Sequence, residues 1–207
     1  MAAARLCDRS AVIRHDACST VFRSRRMFDF IDCDPCGSAL PYLPCIMAAA
    51  RDGAMVSFSS FNSADLLRGA CGGEGGHAFG RYRNELVLRY LVLAAAHHAL
   101  PRVFCPVLCF CFDHGFRVTG RISSRAPSAT ASDDADATCT ASRARQCPQC
   151  PWFTLAPDAC SSVACPHCSC PSASFACSAP VYAGPLIDAA VLHCMIRSIG
   201  ERQVGHH

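Results

Sequence analysis

The stretch NELVLRYLVLAAAHHALPRVFCPVLCFCF, residues 84–112, decides the fold class. It reads either as a membrane span or as a buried helix followed by a buried strand. A spanning helix needs about 18 or more uninterrupted apolar residues. Arg89, His97, His98 and Arg102 interrupt this run, so the helix-plus-strand reading is preferred. The Leu- and Ala-rich part predicts a helix over 84–100, with Asn84 as its N-cap and Pro101 as its stop. The aromatic run at 103–112 is β-prone, although Pro106 lacks a ladder donor and weakens the strand. An alternative places Cys105, Cys109 and Cys111 on a palmitoylated, membrane-peripheral surface.

Outward from this stretch, MFDFID (27–32) alternates as a short strand. A short helix follows near 45–51, and Asp52-Gly53 is a turn signal before a strand at 54–61. Ser63 caps a short helix that dissolves into glycines. There Gly73-x-Gly75-x-x-Ala78 resembles a dinucleotide fingerprint, but a helical segment precedes it where the motif needs a strand, so it reads as a loop. Residues 121–146 hold few large apolar groups and read as a linker. GPLIDAAVLHCMIRSIG (184–200) predicts a helix with Pro185 in its first turn and Gly200 at its end. Ile187, Val191, Cys194 and Met195 would share its apolar face.

The resulting expectation is a small, irregular α+β protein with substantial loop or disorder. Its plan is a loose N-terminus (1–26), an α-rich region (27–118), a low-complexity linker (119–146), a cysteine-rich module (147–180) and a terminal helix and tail (181–207).

Composition excludes several chemistries. The 207-residue chain has no lysine, and its 19 basic side chains are all arginine. That removes a Walker A lysine, a Schiff-base lysine and a kinase strand lysine. Neither G-x-S-x-G nor H-E-x-x-H occurs. A net charge of +3 is too small to argue for nucleic acid on its own, and the one local cluster is Arg23, Arg25 and Arg26. The arginine-for-lysine bias points to a GC-rich gene, and it leaves open a reading frame without an evolved biochemical function. The N-terminus lacks the apolar core of a secretory signal, and Asp8 and Asp16 argue against a mitochondrial presequence. An intracellular compartment, nucleus or cytoplasm, is therefore expected. There the 18 cysteines would serve as metal ligands or redox groups more often than as disulfides.

Two cysteine patterns carry chemistry. Cys147-Pro-Gln-Cys150 and Cys165-Pro-His-Cys168 are separated by 14 residues. Zinc takes four ligands in a tetrahedron, and each C-x2-C turn aims two sulfurs at one ion. The segment 147–168 resembles the zinc-ribbon class. That resemblance implies a structural Zn2+ held by Cys147, Cys150, Cys165 and Cys168, in a module that contacts protein or nucleic acid. It departs from the class at Pro151 and Ser169, where glycines commonly stand. Trp152 and Phe153 are expected to cover the site. Cys160, His167, Cys170 and Cys177 are spare ligands.

The second pattern, FDFIDCDPCG (28–37), sets a strand before Cys33-Asp34-Pro35-Cys36. It resembles the thioredoxin active-site turn, which implies Cys33 as nucleophile and Cys36 as resolving thiol. Gly37, Pro41 and Pro44 disfavour the helix that such a turn needs. Asp113-His114 reads as a surface turn. The preferred reading is a non-enzymatic, zinc-stabilised interaction module with an unknown partner, and a thiol-disulfide oxidoreductase is the alternative.

Overall fold

The structure is a computed structural model that describes residues 13–61, 64–72, 79–113, 115–124, 141–157 and 164–204. The expectations about residues 1–12, Ser63, the Gly73–Ala78 motif, His114 and Cys160 fall outside them, as do those about most of the linker. The described residues form two sheets and five helices, an α+β architecture.

The first sheet has four strands, β1 (Phe28–Cys33), β2 (Ala50–Phe61), β3 (Val103–Phe112) and β4 (Gly115–Ser123), in the order β1-β2-β4-β3. Strands β1 and β2 are parallel, and the remaining pairs are antiparallel. A parallel pair needs a crossover. Here it is a 3-10 turn (Leu40–Tyr42) running into α2 (Leu43–Ala49), while α1 (Ala17–Arg23) precedes β1. Strand β2 is the spine, with Val56, Ser57, Phe58, Ser59 and Ser60 all buried. The expected turn at Asp52-Gly53 lies inside β2. Gly53 takes φ +79° there, and the register with β1 jumps from Ala50 to Met55. The two residues thus form a bulge, which glycine permits at little cost. Pro106 lies in β3, an edge strand, where its missing N–H is tolerated.

The expected long helix is α4 (Arg83–Ala99). Its N-cap is Tyr82, without a side-chain cap, so Asn84 does not fill that role. Leu86, Val87, Leu88, Leu91, Val92, Ala95, Ala96 and Ala99 are all buried. A helix that is apolar on most sides must be covered on most sides. One side of α4 joins the core of the first sheet, with Phe58, Phe104, Phe116 and Val118. The other side joins a second core with Cys71, Phe79, Ala144 and Val181. No helix is long and apolar enough to cross a membrane among the described residues.

The second core belongs to a three-stranded antiparallel sheet in the order β6-β5-β7. Its strands are β5 (Ala141–Gln146), β6 (Phe153–Ala156) and β7 (Ala176–Tyr182). The ends of the expected linker are therefore strand: β4 runs to Ser123 and β5 starts at Ala141. Ala144 is fully buried in β5, which small side chains allow once another sheet and helix supply the cover. Helix α3 (Ala64–Cys71) adds Cys71 to the same core. Arg89 on α4 ties the layers together, donating to the carbonyls of Tyr182 at 3.1 Å and Gly184 at 2.8 Å.

The terminal helix, α5 (Ala189–Val204), begins later than its sequence suggests. Asp188, not Pro185, sets its start. The Asp188 carboxylate accepts from the amides of Ala190 at 2.8 Å and Val191 at 3.2 Å, satisfying donors that every helix start leaves free.

Candidate functional site

Two places carry functional chemistry. The first lies in the second sheet. Cys147 directly follows β5, and its amide donates to the Trp152 carbonyl at 3.1 Å, closing the first knuckle. Cys165 repeats the device, donating to the Cys170 carbonyl at 2.8 Å. In both knuckles the amide two residues on points at the first sulfur, Gln149 at Cys147 and His167 at Cys165, each at 3.4 Å. Ser169 has φ +60°, the left-handed conformation for which a glycine is usually selected.

The sequence-expected set converges. Cys147 and Cys168 lie 3.4 Å apart, and Cys150 and Cys165 lie 3.6 Å apart. All four sulfurs fall within 4.8 Å of one another, so the cluster could hold a metal ion. Cys170 is buried beside it but stands outside the four, as do His167 and Cys177. Trp152 covers the site, packing on Phe175 at 5.3 Å between ring centroids. Phe153 does not. It stacks on Tyr82 at 4.2 Å and belongs to the second core. Strand alternation explains this, because neighbouring side chains face opposite ways.

Without a metal the thiols share charge unequally. Burial pushes Cys147 up, but donation from the Gln149 amide and from Cys168 outweighs it and brings the thiol to about 6. Cys150 goes the other way, raised to about 12 by burial above all. Four thiolates around zinc would leave no open coordination position, so such a site is structural in type.

The second place is the carboxyl end of β1. The loop that leaves Cys33 is clamped to the end of the parallel strand β2. The Gly37 carbonyl accepts from the Phe61 amide at 3.1 Å, and the Ala39 amide donates to Ser60 Oγ at 2.9 Å. A pocket of about 290 Å³ opens there, with Val21, Ile31, Asp32, Asp34, Pro35 and Tyr42 among its lining residues. Carboxyl ends of parallel strands are where open α/β sheets bind ligands. The two carboxylates differ. Asp32 accepts from Arg117 Nη2 at 2.6 Å, and that guanidinium also donates to Ser59 Oγ at 2.7 Å. Asp34 is exposed and has no ion pair among the described residues.

A family model of N2,N2-dimethylguanosine tRNA methyltransferases matches residues 4–206. The chain belongs to this family. Among solved structures, Trm1 from Pyrococcus horikoshii, in complex with S-adenosyl-L-methionine, matches 90% of this chain with a TM-score of 0.65 and 20% identity. The chain spans 48% of that relative's length, and at this identity the likeness shows the fold. No curated protein matches the chain significantly.

The family membership overturns the functional readings drawn from the sequence. The chain is not a free-standing zinc-binding interaction module, not an uncharacterised frame without evolved function, and not a thiol-disulfide oxidoreductase. The expectation that it is not an enzyme is corrected with them, because the family is one of methyltransferases. Physical reasons agree for Cys33-Cys36. Redox nucleophiles are thiols with lowered pKa at a helix N-terminus. Burial, then Cys18, Asp32 and Asp34, all raise the Cys33 thiol, and only Arg117 opposes them. The next helical turn starts at Leu40. Between the two cysteines, Asp34 and Pro35 stand in the wall of the pocket.

Proposed function

We propose that this chain forms the acceptor side of a tRNA guanosine N2-methyltransferase, with guanine held at the carboxyl end of β1. The observation that carries this reading is Asp34, without an ion pair among the described residues, in the wall of a base-sized pocket, within a chain of this family. The exocyclic amine of guanine is a weak nucleophile, because its lone pair is drawn into the ring. A carboxylate that accepts its N–H returns electron density to the nitrogen and offers a place for the departing proton. Asp34 suits that role. Asp32, already engaged by Arg117, is a positioning residue for the strand end. Pro35 fixes φ and with it the direction of the Asp34 backbone. Tyr42 supplies an aromatic wall on which an extruded base can stack. Arg23, Arg25 and Arg26, exposed at and just after the end of α1, would meet phosphates of the tRNA.

The solved relative was determined with S-adenosyl-L-methionine, a sulfonium methyl donor. The described residues do not form a cradle for that donor. A single glycine, Gly37, stands in the turn after β1, and the pocket, about 290 Å³, lies just below the usual range for ligand sites, about 300–1,000 Å³. A purine fits it better than an adenosyl-methionine.

Zinc at Cys147, Cys150, Cys165 and Cys168 completes the proposal. Zn–S bonds near 2.3 Å in a tetrahedron require sulfurs roughly 3.8 Å apart, close to the observed 3.4 and 3.6 Å. The ion would hold the knuckles of the second sheet, which in turn buttresses α4 through Tyr82 and Phe153.

The test is competition for binding of a tRNA transcript. Guanosine monophosphate, which carries the N2 amine, should displace the tRNA at lower concentration than inosine monophosphate, which lacks it. Equal competition by the two nucleotides would refute the assignment.

A further inference from the structure

The pocket has a second chemical feature, carried by sulfur. Helix α1 buries no residue, yet Ala17 and Val21 on it line the pocket. Helix α2 is anchored by Leu43, Cys45, Ile46, Met47 and Ala49, all buried. The two helices meet at two thiols. Cys18 Sγ on α1 lies 3.1 Å from Cys45 Sγ on α2. A disulfide needs about 2.05 Å, so an approach of about 1 Å would suffice. Cys45 is 5% exposed, whereas Cys18 is half-buried and open to a reagent.

We propose that Cys18 and Cys45 form a reversible disulfide clasp that ties α1 to α2 and fixes the wall of the pocket. The oxidant is a small disulfide of the glutathione class. The Cys18 thiolate attacks one sulfur of that disulfide and expels a glutathione thiolate. Cys45, whose thiol burial and then Cys18 push up to about 12, gives up its proton as it attacks Cys18 Sγ in the mixed disulfide and expels the second glutathione. Two protein thiols lose two protons and two electrons, and one glutathione disulfide becomes two thiols. Reduced glutathione runs the sequence backwards. Because α1 meets the core only through half-buried side chains, Cys18 and Val21 among them, the bond staples it covalently to the buried α2. That the wall belongs to a guanine pocket rests on the function proposed above. The clasp itself does not.

The experiment is thiol mapping in glutathione redox buffer. Trypsin cuts after Arg14, Arg23, Arg26 and Arg51, so Cys18 falls in peptide 15–23 and Cys45 in peptide 27–51 with Cys33 and Cys36. Oxidation should link the two peptides with the loss of two hydrogens, and fragmentation should place the bond at Cys45. A Cys33→Ser variant should form the same link. Exposed Cys36, Cys111, Cys177 and Cys194 serve as controls that take up glutathione singly. Amide exchange over 17–23 should slow at least tenfold on oxidation and return to the reduced rate in Cys18→Ser. Cys18 found only as a glutathione adduct, a bond to Cys33, or unchanged exchange over α1 would overturn the proposal. None of these readouts involves guanosine, so they are independent of the methyltransferase reading.

Discussion

Replacing Arg102 by methionine should destabilise the protein by about 3 kcal/mol, and the structure shows why. Helix α2 ends against β2, and its last carbonyls must find donors. Ile46 O accepts from the Ala50 amide. Ala48 O accepts from Arg26 N at 3.1 Å and Ala49 O from Met27 N at 2.9 Å. One side chain serves two further carbonyls. Arg102 Nη1 donates to Ala50 O at 2.6 Å, and Nη2 donates to Met47 O. Arg102 is only 8% exposed, so water cannot readily replace it. Methionine keeps the apolar stem but orphans both acceptors. Each costs roughly 1–3 kcal/mol, and partial relaxation brings the pair to about 3 kcal/mol. For a chain of this size that is a fall in Tm of roughly 6–12 °C. Urea unfolding followed by circular dichroism measures it. Arg102→Lys should recover only part, because an ammonium cannot span two carbonyls as the guanidinium fork does. A methionine variant within about 0.5 kcal/mol of the native chain would refute the reasoning.

Gly120→Ala would set a Cβ 2.3 Å from the Phe104 ring and 2.7 Å from the Cys105 carbonyl. It should cost about 1–3 kcal/mol as overpacking, while Gly37→Ala, with nothing within 4 Å, should be near neutral by the same unfolding assay. The purified chain should carry one zinc, and a chelator should shift the emission of Trp152, the single tryptophan, which packs over the cysteines. Cys168→Ser should abolish both the zinc and the chelator response. Donation from the Ser124 hydroxyl, and then from its amide, holds the Asp52 carboxyl below its ordinary 3.8. Its stabilising contribution is therefore present above that pH and lost as pH falls through the lowered folded value. Asp52→Asn should flatten the acid limb of urea midpoints measured between pH 5 and pH 2.

Local signals were legible in the sequence where one segment decides its own fate. The α4 pattern, the strand before Cys33 and the four knuckle cysteines were all readable, because spacing alone fixes them. What was hidden depends on distant partners. Strand β5 reads as polar linker, since its burial comes from Ala144 and from cover supplied by α4 and β7. Asp52-Gly53 reads as a turn, since only the pairing with β1 makes it a bulge. The pocket escaped for a further reason. Asp34 and Asp32 are two residues apart on one strand end, and nothing local shows that Arg117, 85 residues from Asp32, occupies one and leaves the other free.

A double-mutant cycle tests whether Asp34 accepts the guanine amine. The affinities of guanosine and inosine monophosphate would be measured for the native chain and for Asp34→Asn. A hydrogen bond to a charged group contributes about 1.5–3 kcal/mol, so the native chain should prefer guanosine monophosphate by roughly 10- to 150-fold. Asp34→Asn should lose most of that preference while binding inosine monophosphate as before. An undiminished preference in Asp34→Asn would exclude Asp34 as the acceptor.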